Sequence, residues 1–307
     1  MPGLAKPRQP LQPGAMKRFT PALAFTLLSC APSMPPTPAP VMTWDDLSML
    51  PKPEPDATER YGDDPYQVVD IWVPRGPGPH PTVLMIHGGC WQTSIADRTL
   101  MNRVSGDLRG RGIGVWNIDY RGFDRTGDAG KMLGDVYSAA ELLGEKGARH
   151  GLDPTRVVAV GHSAGGHLAL RLPHLQTGYN HRATEPPLPR IRHIVSLGGL
   201  PDVEQAATPP GSGCGVEIAQ KMLASLPASR LSVPPLLPLG VPQTLVNGDS
   251  DRIIPTHYAA DYAVKARAAG DRVTVHIVPG QGHVELVAPG TPAWEKTVEV
   301  IERALGS

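Results

Sequence analysis

One glycine-rich turn constrains the fold of this 307-residue chain more than any other stretch. The residues Gly161-His162-Ser163-Ala164-Gly165-Gly166 stand between a β-branched run at 156–160, typical of a buried strand, and helix formers that end at Pro173. A strand that reverses this sharply into a helix strains the backbone of its central residue and presents that side chain at the edge of the sheet. A Cβ on either flanking glycine would collide with a neighbouring element. In a chain with 34 glycines, the alternative is an ordinary strand-to-helix turn without a function. The other segments of the chain must decide between these two interpretations.

Strand-like and helix-like segments alternate along most of the chain. Apolar and β-branched runs predict strands at 67–73, 82–86, 113–120, 156–160, 191–197, 242–247 and 272–278. Helices are predicted at 98–111, 131–150, 167–172, 256–269 and 293–305. This alternation favours an α/β fold, in which a mostly parallel, doubly wound sheet carries helices on both faces.

The alternation stops between about residues 199 and 241, where proline, glycine and serine are frequent and one helical patch occurs near 215–225. An insertion at this point of a doubly wound sheet would lie over the carboxyl ends of the strands, where ligands bind. We interpret it as a small cap within a domain that spans residues 61–307.

The first 60 residues are expected to precede that domain. Met16-Lys17-Arg18 and the apolar run at 19–28 resemble a secretory signal, and the run is too short to span a bilayer. It ends in Leu27-Leu28-Ser29-Cys30, which resembles a bacterial lipobox whose cysteine carries a lipid. Residues 1–15 would then be an upstream extension. Residues 31–60, with eight prolines, are expected to form a linker.

Two questions about this N-terminal part stay open from the sequence. A lipid on Cys30 would anchor an exported protein to a membrane and leave its domain in water, whereas simple cleavage nearby would give a periplasmic or secreted protein. Trp44 and Leu47 either dock onto the domain or belong to a disordered linker.

Charge and cysteine content limit the partners. Lys plus Arg and Asp plus Glu both number 29, so no basic surface for nucleic acid is expected. Besides Cys30, the chain has Cys90 and Cys214, far apart in sequence. We expect two free, partly buried thiols, and a disulfide in an oxidising compartment is the alternative. No metal-ligand spacing is present, no cofactor is implied, and the sequence does not determine the oligomeric state.

Three motifs, each at the end of a predicted strand or directly after it, carry a family resemblance. They are His87-Gly88-Gly89-Cys90-Trp91, Asp119-Tyr120-Arg121, and the turn at 161–165, which reads G-x-S-x-G. On these motifs residues 61–305 resemble an α/β-hydrolase of the serine esterase group. The H-G-G-x-W pattern is similar to that of kynurenine formamidase-like enzymes rather than to the H-G-G-G of hormone-sensitive-lipase-type esterases.

The resemblance implies a catalytic triad. Ser163 would be the nucleophile, and Asp251 would be the acid, because residues 248–255 match the pattern G-x-x-D-x-x-[VI]-P of the family's acid loop. Asp249 is the competing candidate for the acid. His283, which ends the sequence Gly280-Gln281-Gly282-His283 after the last predicted strand, would be the general base. The alternative for such a loop histidine is a solvated surface residue.

The resemblance also implies an oxyanion hole formed by the amides of Gly88, Gly89 and Ala164. His87, which precedes the two glycines, is expected to hold their loop through its ring nitrogens. Trp91 is a candidate to line the acyl side of the site and restrict it to short acyl groups, or else it faces inward and packs the loop. His162, in the variable position of the G-x-S-x-G turn, is a second candidate for substrate contact.

These residues imply a serine hydrolase that acts on a small acyl ester or formamide through an acyl-enzyme. Secretion favours an ester over a role in tryptophan breakdown. A peptidase of the prolyl-oligopeptidase kind and a non-catalytic binding protein on the same scaffold are the alternatives.

Overall fold

The computed structural model describes residues 2, 3, 9, 10 and 14 and the ranges 40–174 and 188–306. The chain divides into a unit of residues 1–37 and a compact unit of residues 38–307, which contains all the elements given below. Within the described ranges eight strands form one sheet. They are β1 (Ala57–Arg60), β2 (Val68–Trp72), β3 (His80–Ile86), β4 (Gly114–Ile118), β5 (Leu152–His162), β6 (Ile191–Leu197), β7 (Gln243–Gly248) and β8 (Val273–Val278).

Ten α-helices accompany the strands in the described ranges. They are α1 (Trp44–Met49), α2 (Asn102–Gly110), α3 (Phe123–Thr126), α4 (Ala129–Lys146), α5 (Ala164–Arg171), α6 (Val203–Ala206), α7 (Val216–Ser225), α8 (Ala228–Leu231), α9 (His257–Ala268) and α10 (Pro292–Leu305). Short 3₁₀ segments occur at Arg98–Met101, Gly147–His150, Leu172–His174, Pro234–Leu236 and Glu285–Val287.

The sheet is mostly parallel. Its strand order is β1-β2-β4-β3-β5-β6-β7-β8, and only the β1–β2 and β2–β4 pairs are antiparallel. The carboxyl ends of β3 to β8 therefore meet at one edge, where the loops that follow them come together. The α/β fold with a mostly parallel sheet, expected from the alternation of segments, is confirmed.

Helices cover both faces of this sheet. Met132 of α4 and Tyr258 of α9 belong to one buried apolar cluster, whereas Val104 of α2 and Trp294 of α10 belong to another. The central strand β3 is buried along almost all its length because both faces are covered. That burial explains why residues 83–86 of this strand are continuously apolar rather than alternating.

The domain begins before residue 61, where the sequence predicted its start, because residues 43–60 form a helix and a strand that pack onto it. Thr43 begins α1 through a capping box with Asp46, and Leu47 is 2% exposed within the second apolar cluster. The edge strand β1 pairs with β2. A six-residue helix with one buried residue and a four-residue strand leave little periodicity among the prolines, so the sequence indicated a linker and left the docking of Trp44 and Leu47 open.

The signal-like segment and Cys30 lie outside the described residues, so their interpretation stays a prediction. Among the helices at 40–174 and 188–306, none combines the length and the apolar content that a membrane crossing needs.

Cys90 and Cys214 form a disulfide, which corrects the expectation of two free thiols. Their Cα atoms lie 5.3 Å apart although 124 residues separate them along the chain. The bond joins the loop after β3 to the cap, residues 199–241. Sequence spacing could not show this contact, because it exists only when the cap folds back over the edge of the sheet.

We expect the double variant Cys90→Ser/Cys214→Ser to lower the free energy of unfolding by about 2–4 kcal/mol, since the bond closes a long loop of the unfolded chain. Urea titration of the oxidised wild type and the double variant measures this difference. Dithiothreitol should lower the wild type to the stability of the variant and leave the variant unchanged. If the wild type and the double variant were equally stable with and without dithiothreitol, the cross-link would contribute nothing to the free energy of unfolding.

Candidate active site

The turn between β5 and α5 holds Ser163 in a strained conformation. Its backbone has φ +54° and ψ −122°, a region that non-glycine residues rarely adopt. A Cβ on Gly161 would overlap the carbonyl oxygen of Gly165, and one on Gly165 would overlap that of Ile86. The Ser163 amide donates to the carbonyl of Leu197 over 2.8 Å, which ties the turn to the neighbouring strand β6. The turn therefore depends on close backbone contacts that only glycine permits.

His283 and Asp251 lie together at the same edge of the sheet. The Nδ1 atom of His283 is 2.7 Å from Oδ2 of Asp251, and both side chains are buried. The second oxygen, Oδ1, accepts hydrogen bonds of 2.8 Å from the amides of Ile253 and Ile254. Both carboxylate oxygens thus have donors, and this fixes the orientation of the His283 ring.

Asp249 has a different set of contacts. Its Oδ1 accepts a hydrogen bond of 2.7 Å from the Gly280 amide and one of 2.9 Å from the Ser250 hydroxyl. These contacts connect the two loops that follow β7 and β8. Of the two candidate acids, Asp251 is the one that contacts His283.

The loop after β3 approaches the Ser163 turn closely. A Cβ on Gly88 would lie 2.9 Å from that of Ser163, so glycine lets the two backbones meet. Gly89, Cys90 and Trp91 then have φ values of +106°, +52° and +59°. Two consecutive non-glycine residues in this region cost free energy, which their surroundings must offset. The disulfide holds Cys90, and burial holds Trp91.

Trp91 faces inward and does not line the cavity beside Ser163, which is the second of the two alternatives stated for it. Its side chain is 0% exposed, and Nε1 donates a hydrogen bond of 3.2 Å to Nδ1 of His167. Burial lowers the pKa of His167 to about 3, with a further contribution from Arg171. The neutral His167 ring accepts from Trp91 at Nδ1 and donates to the Leu231 carbonyl at Nε2, 2.8 Å away. Trp91 therefore packs the loop from inside.

His87 positions the same loop, as its sequence context indicated. Its Nδ1 lies 2.7 Å from the Gly88 carbonyl and its Nε2 lies 3.0 Å from Asp119. Arg98 donates to both Asp119 and Asp70, and the Tyr120 ring stacks on the imidazole with centroids 4.3 Å apart. Asp119 and Tyr120, of the second motif, thus support the glycine loop through His87.

His162 lies beside the Asp251–His283 pair. Its Nε2 donates to the His283 carbonyl over 3.2 Å, and the two imidazole centroids are 4.4 Å apart. Burial, and then the neighbouring His283, hold the pKa of His162 well below its usual value, so the ring is neutral. His162 contributes to the lining of the site and supports the turn that carries His283.

A cavity of about 310 Å³ opens beside Ser163. Most of its lining is apolar, and its residues are Trp44, Gly89, Cys90, Ile95, Ala96, Leu100, His162, Ser163, Gly213, Ile253 and His283. The cap contributes Gly213, whose amide donates to the Ile253 carbonyl over 2.7 Å. In the described part of the chain no cluster of His, Cys, Asp and Glu is arranged to hold a metal ion.

Two residues at this site were not identified from the sequence. Gly198, at the end of β6, has φ +52°, and a Cβ there would lie 3.1 Å from Nδ1 of His283 and 3.2 Å from Oδ2 of Asp251. The glycine pair at 198–199 directly after a strand was the available signal. Docking of Trp44, from α1, onto the domain was one of two alternatives, but its Pro-rich segment gave no signal that it would reach the site.

A model of the BD-FAE family matches residues 69–269, which is more than half of the chain. The chain belongs to the BD-FAE family. The match includes the glycine loop, the Ser163 turn and Asp251, whereas Trp44 and His283 lie outside the matched residues.

Curated relatives of this BD-FAE chain are esterases. It is 36% identical over 111 residues to the probable isoprenylcysteine alpha-carbonyl methylesterase ICME of Oryza sativa subsp. japonica, which is 36% of this chain and 26% of the relative. It is 25% identical over 248 residues to esterase LipC of Mycobacterium tuberculosis, which is 73% of this chain and 58% of LipC. The aligned part thus spans about a quarter of the rice protein and somewhat more than half of LipC.

Solved structures show the same fold. Esterase B of Lactobacillus rhamnosus superposes with a TM-score of 0.69 at 19% identity, covering 83% of this chain and 89% of the other. A thermophilic esterase of Thermogutta terrifontis superposes with a TM-score of 0.66 at 19% identity, covering 85% and 96%. The α/β-hydrolase fold that the motifs indicated is therefore confirmed.

A matched pair of substitutions tests which of the two aspartates acts with His283. Asp251→Asn should lower kcat by about 10⁴-fold, because an amide facing Nδ1 no longer selects the required histidine tautomer. Asp249→Asn keeps a carbonyl oxygen that accepts from Gly280 and should retain most activity. Steady-state hydrolysis of p-nitrophenyl acetate by both variants is the measurement. A larger loss in Asp249→Asn would assign the acid to the other residue.

Proposed function

We propose that this chain is a serine carboxylesterase that cleaves small acyl esters through Ser163, His283 and Asp251. The observation that carries the proposal is that Ser163 and His283 line one cavity. Ser163 has a strained backbone, and the His283 ring is held by the buried carboxylate of Asp251. Its membership of the BD-FAE family and its esterase relatives support ester bonds as the substrate class.

In the proposed reaction the Ser163 hydroxyl attacks the ester carbonyl while His283 takes its proton. The tetrahedral intermediate then breaks the bond to the alcohol, and His283 returns the proton to the departing alkoxide oxygen. The acyl group remains on Ser163. Water attacks this acyl-enzyme with His283 again as the base, which releases the acid and restores the serine. Asp251 orients the imidazole and stabilises its protonated form.

The amides of Gly88, Gly89 and Ala164 are the proposed donors to the oxyanion. Ala164 is the first residue of α5, and the first N–H groups of a helix have no partner within it. The closeness of Gly88 to Ser163 and the left-handed conformation of Gly89 support the contribution of the glycine loop. Losing one such donor typically costs about 3–4 kcal/mol of transition-state stabilisation.

The cavity supports a small substrate. Its volume of about 310 Å³ lies at the lower end of the range for small-molecule pockets, and most of the side chains that line it are apolar. Formamide hydrolysis has no support in the names of the relatives given above. It is retained as an outcome of the assay below.

Turnover of three substrates tests the proposal. Wild-type protein should hydrolyse p-nitrophenyl acetate, and Ser163→Ala should lower kcat by roughly 10⁴–10⁶-fold, because the nucleophile is removed. Alanyl-p-nitroanilide and N-formylkynurenine should be cleaved far more slowly. Preference for the anilide would favour a peptidase, and preference for the formamide a formamidase. Saturable binding of p-nitrophenyl acetate without turnover would favour a binding protein.

We also propose that the protein is exported with a lipid on Cys30. The basic and apolar residues before Leu27-Leu28-Ser29-Cys30 support a signal sequence. The Cys90–Cys214 bond supports an oxidising compartment, because disulfides persist there and are rare in reducing cytosol.

Expression in a bacterium with Cys30→Ala tests the lipid. The wild type should be processed and found in the membrane fraction, whereas the variant should lose both, because the acceptor thiol is gone. Labelled fatty acid should enter only the wild type. Unchanged processing and fractionation of the variant would contradict lipidation and leave ordinary secretion.

A further inference from the structure

Trp44 lies at the candidate active site although it comes from the start of the domain. Its side chain is 42% exposed, and it lines the same cavity as Ser163. The indole lies edge-on to His162 and to His283, with ring centroids 6.3 Å away in both cases. The ring thus presents apolar surface to the cavity beside the proposed base.

The segment that carries this ring, residues 40–50, is held at its first end by the loop of His283. The Met42 amide donates to Oε1 of Glu285 over 2.5 Å. The other carboxylate oxygen, Oε2, accepts from the Gly282 amide over 3.0 Å, and Gly282 directly precedes His283. Glu285 is 4% exposed, so these contacts are formed out of water, where they are stronger.

The other end of this segment is held by α2. Arg103 donates to the carbonyls of Ser48 and Leu50 over 2.9 and 3.2 Å. Between the two anchors, Leu47, three residues after Trp44 on the same short helix, is buried against the core. The backbone that carries the indole is therefore held at both ends by contacts with the rest of the domain.

The chemistry of the proposed reaction decides which part of the ester meets Trp44. His283 must return its proton to the departing alcohol oxygen, so that oxygen faces the imidazole. Because Trp44 lies against the His283 ring, it borders the path of the alcohol rather than that of the acyl group. Ile95, Leu100 and Ile253 line the same cavity and add to its apolar surface.

From this geometry, and resting on the proposed esterase function, we infer that Trp44 determines specificity for the alcohol part of the ester. The indole contacts an apolar, preferably planar, alcohol group before it leaves. Aromatic pairs of this kind contribute free energy beyond the area that they bury. The alcohol departs when the acyl-enzyme forms, so Trp44 influences acylation and has no contact with the leaving group during deacylation.

Two series of esters separate the alcohol from the acyl side. Trp44→Ala should lower the ratio of kcat/KM for benzyl acetate to that for methyl acetate about 10-fold, corresponding to about 1.4 kcal/mol. Trp44→Phe should retain most of the wild-type ratio, because a planar ring remains. The ratio for p-nitrophenyl butyrate to p-nitrophenyl acetate should stay unchanged in both variants, since these esters share one alcohol.

Met49→Ala is the matched control, because Met49 lies on the same helix and is 83% exposed. It should leave both ratios unchanged. An unchanged benzyl-to-methyl ratio in Trp44→Ala, or a change confined to the acyl series, would overturn the assignment of Trp44.

A binding measurement keeps this test separate from the esterase proposal. In the Ser163→Ala background, which should not turn over the ester, saturation-transfer NMR gives the affinity for benzyl acetate. Adding Trp44→Ala should weaken that binding about 10-fold, and equal binding would overturn the role of Trp44 even if no ester were ever cleaved. Absence of wild-type turnover with intact, Trp44-dependent binding would instead reject the esterase function alone.

Discussion

The reversal of the chain at Ser163 is the constraint on which the candidate site depends. Strand β5 ends and α5 begins within a single residue, and the turn closes only because Gly161 and Gly165 lack side chains. The same contact brings α5 against the end of β3, whose carbonyls lie beside Gly165. A serine in this position is presented to the edge where the loops after the parallel strands meet, and the helix start supplies unpaired amides.

The loops around that serine are held by contacts with distant parts of the chain. The loop after β3 contains three consecutive residues with positive φ, and it is stabilised by the Cys90–Cys214 bond and by the buried Trp91. The cap residue Gly213 bonds to Ile253, whose own amide donates to Asp251. The loop after β3, the cap and the loop of Asp251 are thus connected to one another, and covalent and apolar contacts keep the strained backbone in place.

The segment at residues 40–50 lines another side of the cavity beside Ser163. Glu285 connects it to the turn of His283, and Trp44 meets the two histidine rings. This segment precedes the residues that match the BD-FAE family model. In the proposed reaction it supplies the alcohol side of the cavity, so the bond-breaking groups and the groups that select the alcohol come from different parts of the chain.

The sequence by itself determined the parallel α/β sheet and the Ser163 turn, and its motifs favoured Asp251, the aspartate that contacts His283, over Asp249. These features depend on local composition and on the order of short motifs, and strand ends of a parallel sheet always meet at one edge. Only the tertiary structure decided that Cys90 meets Cys214, that Trp91 faces inward and that Trp44 faces the cavity. The physical reason is that the direction of a loop side chain is set by contacts with segments far away in sequence. Those contacts form when the cap and residues 40–50 close over the sheet, and no local pattern encodes them.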